Sequence, residues 1–230
     1  MAASETRLTP RAVDAVIFDL GGVVASNGRP SDLLRRFPDD PPELVRAVIM
    51  GDYGADTDHP WHRLERGEIS FADYRSSLAE LVISAGLRPV VDADPPPSGS
   101  RLMFDFLPNP PVVELVRDLK EAGIGRGLLT NNIREFSDQW RSMLDFDELF
   151  DDIVDSHEVG MRKPNPDIYL LSASRLGVDP SRVAFLDDTE SNVEAARNLG
   201  MHGVLVDEDP SAAVSRVRRL VDLANRPTTE

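Results

Sequence analysis

A doubly wound, Rossmann-like parallel α/β sheet with a helical segment inserted after its first strand is the fold this sequence predicts, on three observations. Short apolar runs, each ending in a polar residue, alternate with stretches of helical period. The alternation fails only between Ser26 and Pro108, where helical patterns occur without a convincing buried strand. At 230 residues and 41% hydrophobic content, the chain can bury a sizeable core in one large domain or in a domain carrying an insertion.

The first run, Ala15-Val16-Ile17-Phe18, ends at Asp19 and meets Gly21-Gly22, where the backbone can turn tightly. Runs over 124–129, 183–186 and 203–206 have the same character and end at Thr130, Asp187 and Asp207. Helix-period segments over 112–122, 135–144, 166–176, 190–199 and 212–223 lie between or after them. Strand-helix alternation of this kind requires a parallel sheet, and such sheets bind ligands beyond the carboxyl ends of their strands. The polar residues fall at those ends.

Helical patterns over 31–36, 43–50, 61–66 and 71–85 fill the insert, and the proline-rich stretch 94–99 reads as an irregular connection. The expected division is a core of 13–25 and 109–225, a helical insert of 26–108, and frayed tails at 1–12 and 226–230.

Composition narrows the function. With 25 Lys plus Arg against 40 Asp plus Glu, the net charge of −15 argues against binding along a nucleic-acid backbone. The absence of cysteine excludes disulfides, thiolate metal sites and cysteine nucleophiles. No apolar run is long enough for a membrane span and the first residues carry no secretory pattern, so a cytoplasmic protein is expected.

Four polar clusters fall at one edge of the expected sheet: Asp19, Thr130 with Asn131 and Asn132, Lys163, and Asp187 with Asp188. They sit in Val16-Ile17-Phe18-Asp19-Leu20-Gly21-Gly22-Val23-Val24, Leu128-Leu129-Thr130-Asn131-Asn132, Gly160-Met161-Arg162-Lys163-Pro164-Asn165-Pro166 and Phe185-Leu186-Asp187-Asp188-Thr189-Glu190-Ser191-Asn192. In this order the motifs resemble the haloacid dehalogenase superfamily of aspartate-nucleophile hydrolases, and the insert resembles its first class of helical caps. The Phe-Asp-Leu-Gly-Gly-Val wording, the Glu65-Arg66-Gly67-Glu68-Ile69-Ser70 segment and the Gly-Met-Arg-Lys-Pro motif are most similar to glucose-1-phosphatase-like enzymes and the phosphatase domain of soluble epoxide hydrolases.

The residues support matching roles. Asp19 is a carboxylate at a strand tip beside Gly21 and Gly22, so a tetrahedral phosphorus can approach it unobstructed, as a nucleophile requires; taken singly it also reads as a turn aspartate. Asp187 and Asp188 beside Asp19 would repel strongly without a cation, and magnesium suits an all-oxygen set. The resemblance implies direct ligation by Asp19, Asp188 and the Gly21 carbonyl, with Asp187 ligating or acting through water; the pair also reads as a helix cap. Lys163, held in a loop by Pro164, would neutralise Asp19 and the phosphate. Thr130 could donate to phosphoryl oxygens. Gly22, Asn131 and Asn132 are placed on the substrate side, Asn132 with a turn or cap role as its alternative. Asn192, one helical turn after Asp188, can orient the acidic pair.

One position departs from the pattern. Most phosphatases of the superfamily carry an acid/base aspartate two residues after the nucleophile, and here that residue is Gly21. Losing such a group typically costs about 10² to 10⁴ in rate. The proton could come from the insert, with His62, Glu65 and Glu68 as candidates, unless Trp61 and Leu64 mark an ordinary amphipathic helix whose polar face is solvated. Otherwise the leaving group scarcely needs one, as with a sugar 1-phosphate, or turnover has been lost. The leading expectation is a magnesium-dependent phosphatase acting on a small-molecule phosphate monoester through an aspartyl-phosphate. A catalytically degenerate binding protein and a 2-haloacid dehalogenase-like hydrolase are the alternatives, the latter disfavoured by the Asp187-Asp188 pair.

Overall fold

The computed structural model describes residues 11–26, 36–90 and 107–223. The expected helix at 31–36, apart from Arg36, the irregular connection at 94–99, and the tails, apart from residues 11 and 12, lie outside them.

Five parallel strands form the central sheet: β1 (Ala15–Phe18), β4 (Gly125–Thr130), β5 (Asp152–Asp155), β6 (Val183–Asp187) and β7 (His202–Leu205), in the order β5-β4-β1-β6-β7. Side chains alternate across a strand, and the core follows that period. Val16, Phe18, Leu128, Ala184 and Leu186 pack on one face against α4 (Pro110–Glu121) and α10 (Ser211–Leu220). Ala15, Ile17, Leu129, Val183 and Phe185 pack on the other against α8 (Pro166–Arg175) and α9 (Glu190–Asn198). Both faces are therefore covered, as an all-parallel sheet requires.

Sequence reasoning expected four strands; β5 is the fifth. Its segment Asp-Ile-Val-Asp lies on the sheet edge beside β4, is only half buried at its start, and so lacks a continuous apolar run. The single helix expected over 135–144 is instead a 3₁₀ turn at Arg134–Phe136 followed by the short α5 (Ser137–Arg141). The Ser142 hydroxyl donates to the Gln139 carbonyl at 2.7 Å, one of the local bonds that compete with helix continuation. Two further short helices, α6 (Phe146–Leu149) and α7 (Ser156–Val159), flank β5 and had no sequence signal.

The chain leaves β1 and returns to α4 through a two-stranded stem, β2 (Ala25–Ser26) antiparallel to β3 (Leu107–Pro108). Between them lie α1 (Pro42–Met50), α2 (Pro60–Glu65) and α3 (Phe71–Ser84). The last begins in a reciprocal cap: Asp73 N–H donates to Ser70 Oγ at 3.1 Å, and Ser70 N–H donates to the Asp73 carboxylate at 3.0 Å. Val45, Ile49, Trp61, Leu64 and Tyr74 extend the apolar cluster of the sheet's first face into these helices, seating them above the β1 end that carries Asp19.

Candidate active site

Parallel pairing places the ends of β1, β4 and β6 at one edge. Phe18 is in register with Leu128 and Leu186, so Asp19, Thr130 and Asp187 emerge side by side. Gly22 has φ 74°, a left-handed conformation that a side chain would strain, and turns the chain away from Asp19. A cavity of about 220 Å³ opens here, with Asp19, Gly21, Thr130, Lys163 and Asp188 among its lining.

Lys163 is the hub. Its side chain is 2% exposed, and Nζ lies 2.7 Å from Asp19 Oδ1 and 2.6 Å from Asp187 Oδ2. Burial alone would pull this ammonium down, but the Asp187 and Asp19 carboxylates hold it above the ordinary lysine range. Burial pushes the Asp19 carboxyl up to about 8; Lys163 opposes the rise, while Asp187 and Asp188 add to it. Asp19, Asp187 and Asp188 each bring a carboxylate oxygen within 4.8 Å of the others. Three carboxylates thus face one ammonium, and this all-oxygen set suits a hard divalent cation.

Within the set the carboxylates differ. Asp187, fully buried, accepts at Oδ1 from Thr189 N–H at 2.9 Å and from Asn192 Nδ2 at 3.0 Å, and at Oδ2 from Lys163. Both of its oxygens serve protein donors, so it braces Lys163 and Asn192. Asp188 lies at the cavity and accepts from Thr189 Oγ1 at 3.3 Å. Asn192 is itself fixed where its carbonyl accepts from the Tyr169 hydroxyl at 3.1 Å.

The other expected site residues also reach this edge. Thr130 is buried at the cavity. Asn131 lines it too, but its side-chain amide holds the Lys163 backbone: Nδ2 donates to the Lys163 carbonyl at 3.0 Å and Oδ1 accepts from Lys163 N–H at 2.8 Å. Asn132 Oδ1 accepts from Ile133 N–H at 2.9 Å, a turn-type contact, and its backbone N–H donates to Ser156 Oγ.

The polar face of α2 is not solvated, contrary to one expectation. His62 is fully buried, with Nδ1 accepting from Thr57 N–H at 3.1 Å, and it packs against Gly51, where an added Cβ would lie 2.8 Å from His62 Nε2. Burial lowers it to about 4, with the Arg162 charge adding to the effect, and it does not line the cavity. A neutral, walled-off imidazole is no proton donor to this site. Glu68 is partly exposed and paired with Arg66 and Arg63. Glu65 does border the cavity, but its carboxylate accepts from Arg162 Nε at 2.7 Å and from the Tyr53 hydroxyl at 2.9 Å. Sequence reasoning assigned no role to Arg162 or Tyr53; the Glu65-Arg66-Gly67 and Met161-Arg162-Lys163 segments, one acidic and one basic among buried neighbours, were the available signal.

The haloacid dehalogenase-like hydrolase family matches residues 13–200. The chain belongs to that family. It is 32% identical over 219 residues to mouse acyl-CoA dehydrogenase family member 10, covering 92% of this chain and 19% of the relative. It is 28% identical over 210 residues to mouse bifunctional epoxide hydrolase 2, covering 87% and 38%. The chain therefore spans well under half of those relatives' lengths. A glyceraldehyde 3-phosphate phosphatase from Methanopyrus kandleri is 26% identical, over 92% of this chain and 97% of its own. Among solved structures, a Bacteroides thetaiotaomicron haloacid dehalogenase-family enzyme in complex with magnesium and inorganic phosphate shares the fold at a TM-score of 0.60 and 22% identity, covering 86% and 96%. L-2-haloacid dehalogenase from Xanthobacter autotrophicus shares it at 0.56 and 23%, covering 94% and 85%. Among the described residues no helix is long and apolar enough to cross a membrane.

Proposed function

We propose that this hydrolase is a magnesium-dependent phosphatase that takes a small phosphate monoester through an aspartyl-phosphate on Asp19. The observation that carries the reading is the buried Asp19–Lys163–Asp187 array with Asp188 beside it. Asp19 attacks phosphorus, the bond to the leaving oxygen breaks, and water then cleaves the acyl phosphate. Lys163 holds the nucleophile and offsets phosphate charge; the Thr130 hydroxyl donates to a phosphoryl oxygen. Thr189 and Asn192 fix Asp187, and Asn131 fixes the Lys163 backbone. Asp19, Asp188 and the Gly21 carbonyl would hold magnesium, whose positive charge would steady the phosphate. The inserted helices act as a cap, and the small-molecule substrate is met in the cytoplasm.

With Gly21 in place of an acid and the Glu65 carboxylate committed to Arg162 and Tyr53, the favoured substrate has a leaving group that departs without protonation, such as a sugar 1-phosphate. A carbon-displacing dehalogenase gains nothing from Asp187 and Asp188 beside its nucleophile. The test is phosphate release from glucose 1-phosphate, glucose 6-phosphate and p-nitrophenyl phosphate, with and without magnesium. Magnesium-dependent release that Asp19→Asn abolishes, and that favours the 1-phosphate over the 6-phosphate, is expected. Long-lived stoichiometric phosphorylation without release would instead mark a binding protein.

A further inference from the structure

Arg162 and Lys163 are neighbours in the chain, both buried, yet their charges serve different units. Lys163 reaches Asp19 and Asp187. The Arg162 guanidinium reaches the inserted segment: Nε donates to Glu65 Oε2 at 2.7 Å and Nη1 to the Ala55 carbonyl at 2.6 Å. Its central carbon also stands 5.5 Å from the Tyr53 ring centroid, within cation–π range. Tyr53 donates its hydroxyl to Glu65 Oε1 at 2.9 Å. The ring is therefore pinned through its hydroxyl and braced by the guanidinium, and it forms part of the lining of the cavity that Asp19 also lines.

Besides Tyr53, the cavity lining includes the apolar side chains of Met50, Trp61, Ile133 and Phe136. Lys163 is the only cation among the described lining residues, and it is spent on two carboxylates. Arg162 is sealed behind Tyr53 and Glu65, fully buried. A carboxylate on the leaving group would lose its hydration beside Glu65 and Asp188 with no uncommitted cation to meet it.

We propose that Tyr53, clamped by the buried Glu65–Arg162 pair, is the specificity-determining contact for the leaving group, and that it selects an uncharged group with a flat or ring face. This rests on the phosphatase reading. Tyr53 touches the leaving group; Glu65 and Arg162 act through it as positioning residues. Losing an aromatic contact removes about 0.5–1.5 kcal/mol, or roughly two- to tenfold in affinity.

Steady-state kinetics with phenyl phosphate, 4-carboxyphenyl phosphate and acetyl phosphate test this in the magnesium-loaded enzyme. The wild type is expected to take phenyl phosphate at least about tenfold better, in kcat/KM, than its carboxylated analogue. Tyr53→Ala should raise KM for phenyl phosphate more than it lowers kcat, reducing the phenyl-to-acetyl ratio of kcat/KM by about two- to tenfold. Tyr53→Phe, which keeps the ring and loses its anchor, should fall between. Equal or better turnover of the carboxylated analogue overturns the proposal, as does a Tyr53→Ala loss shared equally by phenyl and acetyl phosphate. If none of the three compounds is hydrolysed with magnesium, the phosphatase reading itself fails and the proposal falls with it. The matched pair of aryl phosphates in the wild type tests the selection against charge even if no variant folds.

Discussion

Arg162→Met is expected to destabilise the protein more than any surface charge change. The guanidinium is fully buried and Glu65 is 1% exposed, so removing the cation leaves a carboxylate in the interior, still accepting from the Tyr53 hydroxyl. Breaking one side of a buried pair costs about 3–5 kcal/mol. In a chain of this length each kcal/mol shifts Tm by about 2–4 °C, so a fall of roughly 6–20 °C is expected. The loss carries a pH signature. Burial already holds Glu65 above the ordinary carboxylate range against the pull of Arg162 and Tyr53. Without Arg162 its folded pKa rises further, so the penalty is full only above that raised folded value and fades to nothing as pH falls toward the unfolded 4.5. Urea unfolding of wild type and variant across pH 7 to about 4.5 reads both effects. A paired Glu65→Leu, Arg162→Met double variant should recover most of the loss, since apolar replacement of a whole buried pair is often neutral. A single variant within about 1 kcal/mol of wild type at pH 7, or one whose deficit grows as pH falls, would refute this assignment of the buried charge.

Other outcomes follow from the same geometry. His62, lowered from 6.5 to about 4, must be neutral in the fold, so stability present above pH 6.5 is lost as pH falls toward 4; His62→Gln should flatten this part of the urea midpoint profile. Lys163→Met should abolish phosphate release while leaving Asp19 among carboxylates with no ammonium, and it should lower kcat rather than raise KM alone, as measured by steady-state release. Gly21→Asp should raise turnover of glucose 6-phosphate, by up to about 10² if the missing acid limits the rate, and change that of p-nitrophenyl phosphate far less.

The sheet was legible because burial on both faces demands continuous apolar runs, and Ala15-Val16-Ile17-Phe18 and Val183 to Leu186 supply them. The β5 strand was not, because an edge position lets Asp152 and Asp155 stand in a strand without such a run. Asp19, Thr130, Lys163 and the Asp187-Asp188 pair were readable as a set because each follows a strand or sits in a marked loop. Their division of labour was not. That both Asp187 oxygens serve protein donors, and that Asn131 grips the Lys163 backbone, depends on distances between segments far apart in sequence. His62 was misread for a related reason. Periodicity showed that α2 had an apolar face at Trp61 and Leu64, but His62 on the far side is buried too, against Gly51 and Thr57 and under the influence of the Arg162 charge, which only the packed insert reveals.

A covalent bond from Asp19 to phosphorus is the step on which the proposed chemistry turns. Rapid acid quenching during turnover of p-nitrophenyl phosphate with magnesium, followed by peptide mapping, tests it directly. An acid-stable, hydroxylamine-sensitive phosphoryl group is expected on the peptide bearing Asp19, absent in Asp19→Asn. Phosphate release that persists in Asp19→Asn, or a phosphoryl group found on any other residue, would contradict it.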